Sequence, residues 1–70
     1  MDLKKLKELR IEKRYTHQML SFRLNMSVAS YSKREKGMID FKIEEFENLS
    51  KILELSEIEI LELLELDYLK

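Results

Sequence analysis

The chain has no cysteine, no proline and no tryptophan, and it has a single glycine among its 70 residues. Without cysteine, disulfide bonds and thiolate metal sites are excluded, so stability must come from packing or from a partner subunit. Without proline, and with glycine only at position 37, little interrupts a helical backbone. The charged fraction of 39% and the regularly spaced leucines therefore favour helix throughout one small domain, residues 1–70.

The chain also has few of the residues from which active sites are built. Its only histidine is His17, whereas metalloenzymes and serine hydrolases need several converging groups. We therefore expect no enzymatic activity and no cofactor, metal or small-molecule ligand. No apolar run approaches the roughly 18 residues of a membrane span, and no signal-peptide core follows the lysine-rich start. These absences predict a cytoplasmic protein without membrane contacts.

Charge is divided unevenly along the chain. Residues 1–42 carry 11 Lys and Arg against 5 Asp and Glu, a net charge of +6, whereas residues 43–70 carry 2 against 9, a net charge of -7. A polyanion would be attracted to the first part and repelled by the second. Charge alone leaves open whether both parts are simply solvated helix faces.

The spacing of apolar residues and the positions of capping residues predict five helices. Leucines at positions 3, 6 and 9 indicate a first helix over residues 2–14. Thr16 is the expected N-cap of a second helix that stops at Asn25, and Ser27 that of a third that stops at Gly37. An apolar stripe that begins at Ile43 predicts a fourth helix. The capping box at positions 56 and 59 starts a fifth over residues 57–69.

The third predicted helix has two different sides. At about 100° per residue, Ala29, Ser32, Lys33 and Lys36 lie on one face with Val28 at its edge, and Tyr31 and Glu35 lie opposite. The first face is small, then polar, then basic, so it can enter a major groove about 12 Å wide. Periodicity alone equally allows an ordinary solvent-facing side.

The order of residues in this part of the chain resembles the Cro/phage-repressor helix-turn-helix family. Residues 16–21 read Thr-His-Gln-Met-Leu-Ser, residues 25–27 read Asn-Met-Ser, and residues 31–37 read Tyr-Ser-Lys-Arg-Glu-Lys-Gly. These segments match the family pattern without a gap, and the resemblance extends over residues 3–64. It implies an all-α, five-helix, lambda-repressor-like fold in which helices 2 and 3 bind double-stranded DNA in the major groove.

The resemblance also implies roles for individual residues. The positions that resemble base readers are Val28, Ala29, Ser30, Ser32 and Lys33. The candidate phosphate contacts are Arg14, Thr16, His17, Gln18, Arg23, Lys36 and Lys42. At His17 the family usually has glutamine. The N–H of a neutral or a protonated imidazole could still donate to a phosphate, and plain exposure is the alternative.

Chemistry limits what the first two reading positions can recognise. Val28 and Ala29 cannot donate hydrogen bonds, so we expect them to pack against thymine methyl groups, with Lys33 directed to guanine O6 or N7. The resemblance further pairs Arg10 with Glu35, which would lock the third helix onto the first. The alternative for that pair is two independent surface charges.

The fifth predicted helix raises the question of a partner. Ile60, Leu61, Leu64 and Tyr68 share a face that would cover the domain. Leu63 and Leu66 project from another side among acidic residues, which predicts a homodimer interface or, alternatively, burial under the tail. A dimer would place two recognition helices about 34 Å apart on an inverted repeat.

The leading hypothesis is a sequence-specific DNA-binding regulator from a prophage or other mobile element, and repression is its simplest mechanism. The rival hypothesis is a protein-interaction module, either an antitoxin or an antirepressor. In that case the acidic half, with Leu63 and Leu66, would contact another protein, and DNA binding would be secondary or lost. The basic face of the third helix is the feature that separates the two.

Overall fold

The computed structural model describes residues 1–65 of the chain. Within this range the secondary structure consists of five α-helices without a strand. They are α1 (Leu3–Glu12), α2 (His17–Arg23), α3 (Val28–Glu35), α4 (Ile43–Ile52) and α5 (Glu57–Leu63). The predicted all-α, five-helix architecture is confirmed. Over residues 1–65, no helix is both long enough and apolar enough to cross a membrane.

Side-chain oxygens define where most of the helices begin. Asp2, Thr16, Ser27 and Ser56 each accept a hydrogen bond from a backbone N–H three residues later. At α5 the bonding is reciprocal, because the Glu59 carboxylate accepts from the Ser56 N–H at 2.9 Å. The side chain of Lys42, the N-cap of α4, has no hydrogen-bond acceptor. At this helix the backbone N–H of Lys42 instead donates to the Glu45 carboxylate at 2.9 Å.

All five helices end in the same way. The residue after each C-cap has a left-handed backbone with φ between 52° and 82°, at Arg14, Asn25, Gly37, Glu54 and Glu65. After α3, for example, the Met38 N–H donates to the Lys33 carbonyl at 2.8 Å, as in a Schellman motif. A Cβ on Gly37 would also lie 3.0 Å from Leu3 Cδ1, so both the backbone and the approach of α1 favour glycine.

Every helix contributes to one apolar core. Its fully buried members are Leu6, Leu9, Leu20, Tyr31, Leu49, Leu53 and Leu63. The N-terminal segment is tied to α5, since the Asp2 N–H donates to the Leu63 carbonyl at 2.7 Å. Through Tyr31 and its neighbours, α3 packs against α1 and α2 with one side only. The core therefore fixes which face of α3 remains outside.

The C-terminal helix differs from its prediction. The helix was predicted over residues 57–69. It ends at Leu63 instead, with Leu64 as the C-cap and Glu65 in the left-handed conformation. The prediction that Leu63 is exposed is wrong, because its side chain is completely buried in the core between α5 and α1. Leu66, the other predicted interface residue, lies outside the described residues.

Two residues that were predicted to be on buried stripes are exposed instead. Ile43 is 81% exposed because it is the first residue of α4, where the stripe has not yet reached the core. Leu64 is 39% exposed because the helix ends just before it, and Leu63 takes the core position. Periodicity places residues on a face but does not fix where along the helix that face meets its neighbour.

Candidate nucleic-acid interface

The two sides of α3 differ in exposure. On the inner side Tyr31 is fully buried and Glu35 is 7% exposed. On the outer side Val28, Ala29 and Lys33 are exposed. Eight helical residues are about 12 Å long, which is comparable to the width of the DNA major groove. The outer side thus has the size and side chains that a groove-reading helix needs.

A buried ion pair joins α1 to α3. Arg10 Nε donates to Glu35 Oε2 at 2.9 Å, and Arg10 Nη2 donates to Glu35 Oε1 at 3.1 Å. The remaining Arg10 Nη1 donates to the Tyr15 carbonyl at 2.7 Å. The side chains are only 9% and 5% exposed, so they are not two independent surface charges. This two-bond arrangement sets the position of α3 on the first helix.

Two further side chains bond the same carboxylate. The Tyr31 hydroxyl donates to Glu35 Oε2, and His17 Nε2 lies 3.2 Å from Glu35 Oε1. Burial raises the pKa of Tyr31, and Glu35 raises it further, so the hydroxyl remains a donor. Burial also tends to raise the pKa of Glu35, but hydrogen bonds from Arg10, Tyr31 and His17 outweigh it and lower that pKa. Tyr31 was predicted to share the inner side of the helix with Glu35, but its hydrogen bond to Glu35, four residues later, was not predicted.

The bond to Glu35 changes what His17 can offer to DNA. An ionised carboxylate can only accept, so Nε2 of His17 must carry the proton. In a neutral ring Nδ1 is then an acceptor, which cannot bond a phosphate oxygen. A phosphate contact through His17 would therefore need a ring with a proton on both nitrogens. The side chain is 33% exposed.

The other candidate phosphate contacts fall into separate places. Arg14 and Thr16 line one surface cavity together with His17, and Lys36 lines a second cavity that also includes His17. Gln18 and Lys42 are exposed. Arg23 is exposed as well, but its Nη1 lies 3.3 Å from the Tyr15 hydroxyl. His17 is thus the residue that the two cavities share.

A second arginine pair, absent from the sequence predictions, holds the other flank of α3. Arg34 donates through Nε and Nη2 to the Glu45 carboxylate at 2.9 and 3.2 Å. Arg34 Nη1 also donates to the Ser30 carbonyl at 3.0 Å and to the Ser30 hydroxyl. Ser30, a predicted base contact, therefore has its hydroxyl engaged at the flank of α3. The hydrogen bond from Arg34 is the main reason that the pKa of Glu45 is lowered.

The family model described as helix-turn-helix matches residues 6–60 of the chain, from within α1 to α5. This chain belongs to the Cro/phage-repressor-type helix-turn-helix family. It is accordingly a DNA-binding transcription regulator, and such regulators are generally not enzymes. Neither the curated proteins nor the solved structures gave a significant match.

The helix-turn-helix itself consists of α2, α3 and the turn between them. Asn25 has a φ of 60°, and the Met26 N–H donates to the Ser21 carbonyl at 3.0 Å, which closes the end of α2. Ser27 then caps α3 through a hydrogen bond from the Ser30 N–H at 3.0 Å. Ser21 is a buried residue of α2, the helix that packs against α3. A small side chain at this position lets the two helices of the helix-turn-helix approach each other.

Proposed function

We propose that this helix-turn-helix protein is a sequence-specific repressor, encoded by a prophage or other mobile element, that binds an inverted-repeat operator as a dimer. The observation that carries the proposal is the division of α3. Its inner side is fixed by the buried Arg10–Glu35 pair, and its outer side presents small residues followed by basic ones. A rigid helix with an accessible outer face is what reading base edges in the major groove requires.

The outer face of α3 supports a particular kind of base recognition. Val28 is 44% exposed and Ala29 is also exposed, and both are apolar. Packing against thymine methyl groups is the contact that such side chains make in the major groove. Lys33, exposed one turn later, supplies the donor that favours guanine O6 or N7. Ser32 is half-buried between them and adds a hydroxyl.

The small size of the outer side of α3 supports a dimer. One copy presents a single α3 of eight residues with one lysine, Lys33, in its last turn. Two copies on half-sites about 34 Å apart would combine their contacts on one operator. The interface cannot be formed by Leu63, because that side chain is part of the core of a single copy. Exclusion of other proteins from the operator is then the simplest route to repression.

The rival function, a protein-interaction module, loses support on two points. Leu63 is buried rather than available to a partner. Two acidic residues of α5 are also engaged within the chain, because Lys13 Nζ lies 3.5 Å from Glu59 and Lys5 Nζ lies 3.8 Å from Glu62. No contact among residues 1–65 favours the antitoxin or antirepressor hypothesis over DNA binding.

Selection from a random duplex pool at a fixed salt concentration, combined with sedimentation for mass, tests the proposal. We expect an enriched inverted repeat and the mass of a dimer. Lys33→Glu should abolish binding to the enriched duplex, whereas Lys51→Glu, the same change at an exposed position of α4, should have little effect. Val28→Gln should change the enriched bases.

Three outcomes would contradict the proposal. They are the absence of any enriched sequence, a monomeric mass on the enriched duplex, and equal binding by the two lysine variants. A reporter gene behind the enriched sequence separates repression from activation. Expression of the protein should lower reporter output, and a rise would show an activator instead.

A further inference from the structure

The lysines of α1 and its C-cap fall into two groups. Lys5 and Lys13 form ion pairs with glutamates of α5, at 3.8 and 3.5 Å. Lys4 and Lys7 are exposed, and among the ion pairs within residues 1–65 neither takes part. Residues three apart lie on the same side of a helix, one above the other. Lys4 and Lys7 therefore project together, on a side of α1 that α5 does not neutralise.

That side of α1 opens onto a surface cavity of about 340 Å³ between α1 and α3. The cavity is lined by Leu3, Lys4, Lys7, His17, Glu35 and Lys36. Among residues 1–65 the one carboxylate that lines it is Glu35, which already bonds Arg10 through both oxygens and is 7% exposed. Three lysines that form no ion pair within residues 1–65 thus surround an open cavity, and the charge of Glu35 is balanced by Arg10.

The cavity adjoins the outer side of α3. At about 100° per residue, Lys36 lies on the same side of α3 as Ala29 and Lys33, roughly 10 Å further along the helix axis from Ala29. With the N-terminal residues of α3 on base edges, as in a helix-turn-helix complex, the C-terminal end of the helix lies towards the sugar-phosphate backbone at the edge of the groove. The strand that borders the C-terminal end of α3 would therefore run past the cavity.

We propose that Lys4, Lys7 and Lys36 form a binding site for a phosphate of the DNA backbone, which extends the interface from the helix-turn-helix onto α1. The site rests on the proposed function, since it needs a duplex on the outer face of α3. The three ammonium groups supply the charge. His17 at the edge of the cavity adds an N–H only when its ring is protonated, because its other nitrogen bonds Glu35.

The experiment compares two double variants that remove equal charge from the same helix. Lys4→Gln/Lys7→Gln removes the cavity lysines, and Lys5→Gln/Lys13→Gln removes those that pair with α5. Affinity for the enriched operator is measured by fluorescence anisotropy from 50 to 200 mM NaCl. Each phosphate contact contributes about 0.9 to the slope of log K against log salt.

For Lys4→Gln/Lys7→Gln we expect the slope to fall by about 1 for each bound copy, with affinity at 50 mM NaCl several-fold weaker. The Lys5→Gln/Lys13→Gln variant should keep the slope of the parent chain. Selection with the cavity variant should enrich the same sequence, because phosphate contacts carry no base information. Thermal unfolding of both variants checks that each is folded.

Equal slopes for the two double variants would overturn the site, and so would a change in the enriched sequence with the cavity variant. These results differ from failure of the proposed function. In that case the parent chain would not bind any duplex in preference to others, and Lys33→Glu would have no effect. If Lys33→Glu abolishes binding while the cavity variant matches its control, DNA recognition stands and the phosphate site does not.

Discussion

Two arginine–glutamate pairs hold the recognition helix, and they differ mainly in where they lie. Arg10–Glu35 joins α3 to α1 at 2.9 and 3.1 Å, and Arg34–Glu45 joins α3 to α4 at 2.9 and 3.2 Å. The glutamate side chain is 5% exposed in the first pair and 20% exposed in the second. Nearly identical geometry is thus placed in two different environments.

The surroundings of each carboxylate decide what the pair contributes. Glu35 also accepts from the Tyr31 hydroxyl and lies against His17, so four donors converge on a group with little access to water. Glu45 also accepts from the Lys42 N–H, and water can reach it. A buried charge left without its partner costs several kcal/mol, whereas water can solvate a charge that is partly exposed. The first pair should therefore be necessary for the position of α3 in the fold, and the second should add only a small stabilisation.

The largest effect is expected from Glu35→Ala. The change leaves Arg10 charged and buried, and it removes the acceptor of Tyr31. Loss of one partner of a buried pair costs about 3–5 kcal/mol of unfolding free energy. Urea unfolding followed by circular dichroism measures it, and a largely unfolded variant would agree with the expectation. A loss below about 1 kcal/mol, the size expected for Arg34–Glu45, would contradict the proposed difference between the pairs.

The second largest effect is expected at low pH, where the Arg10–Glu35 pair should lose its contribution to stability. The pKa of Glu35 is lowered on folding, so its contribution is complete above the ordinary value of 4.5 and is lost as the pH falls through the lower native pKa. We expect the urea midpoint to be level near neutral pH and to fall below about pH 4.

The Glu45→Ala variant shows which carboxylate carries this pH dependence. The pKa of Glu45 is also lowered, chiefly by the hydrogen bond from Arg34. Protonation of Glu45 at low pH should therefore also lower the free energy of unfolding. If Glu35 dominates, the variant should follow nearly the same pH profile as the parent chain. A flat profile in Glu45→Ala would assign the dependence to the more exposed pair.

The smallest effect is expected from Glu45→Ala at neutral pH. An accessible ion pair contributes about 0.2–1 kcal/mol, and salt screens it. The difference in unfolding free energy between variant and parent should therefore shrink when NaCl is raised from 50 mM to 1 M. A loss as large as that of Glu35→Ala, or one unaffected by salt, would show that the two pairs are equivalent.

Much of the helix-turn-helix could be predicted because its signals are local. Thr16 and Ser27 cap the helices that they were predicted to cap, and Asn25 and Gly37 end α2 and α3 with positive φ. Arg14 and Glu54 end α1 and α4 with the same conformation. Neither could be foreseen, since those residue types have no particular preference for the left-handed region.

Predictions about contacts between helices were less complete. The resemblance implied the Arg10–Glu35 contact, but nothing in the sequence indicated that Arg34 pairs with Glu45, eleven residues away and in another helix. Leu63 was placed on the wrong side because the apolar residues of α5 do not by themselves show which face of the helix meets the core. The grouping of Lys4 and Lys7 with Lys36 also spans two helices that are distant along the chain.

Local patterns in the sequence are sufficient for five helices, for the turn between α2 and α3, and for the small and basic outer face of α3. Those features depend on backbone preferences and on the 3.6-residue repeat, which act over a few neighbouring residues. Tertiary packing decides that Leu63 belongs to the core and that four donor atoms converge on the Glu35 carboxylate. It also decides that two lysines of α1 lie beside the recognition helix. These depend on distances between segments far apart in the chain, which only the folded arrangement of the helices sets.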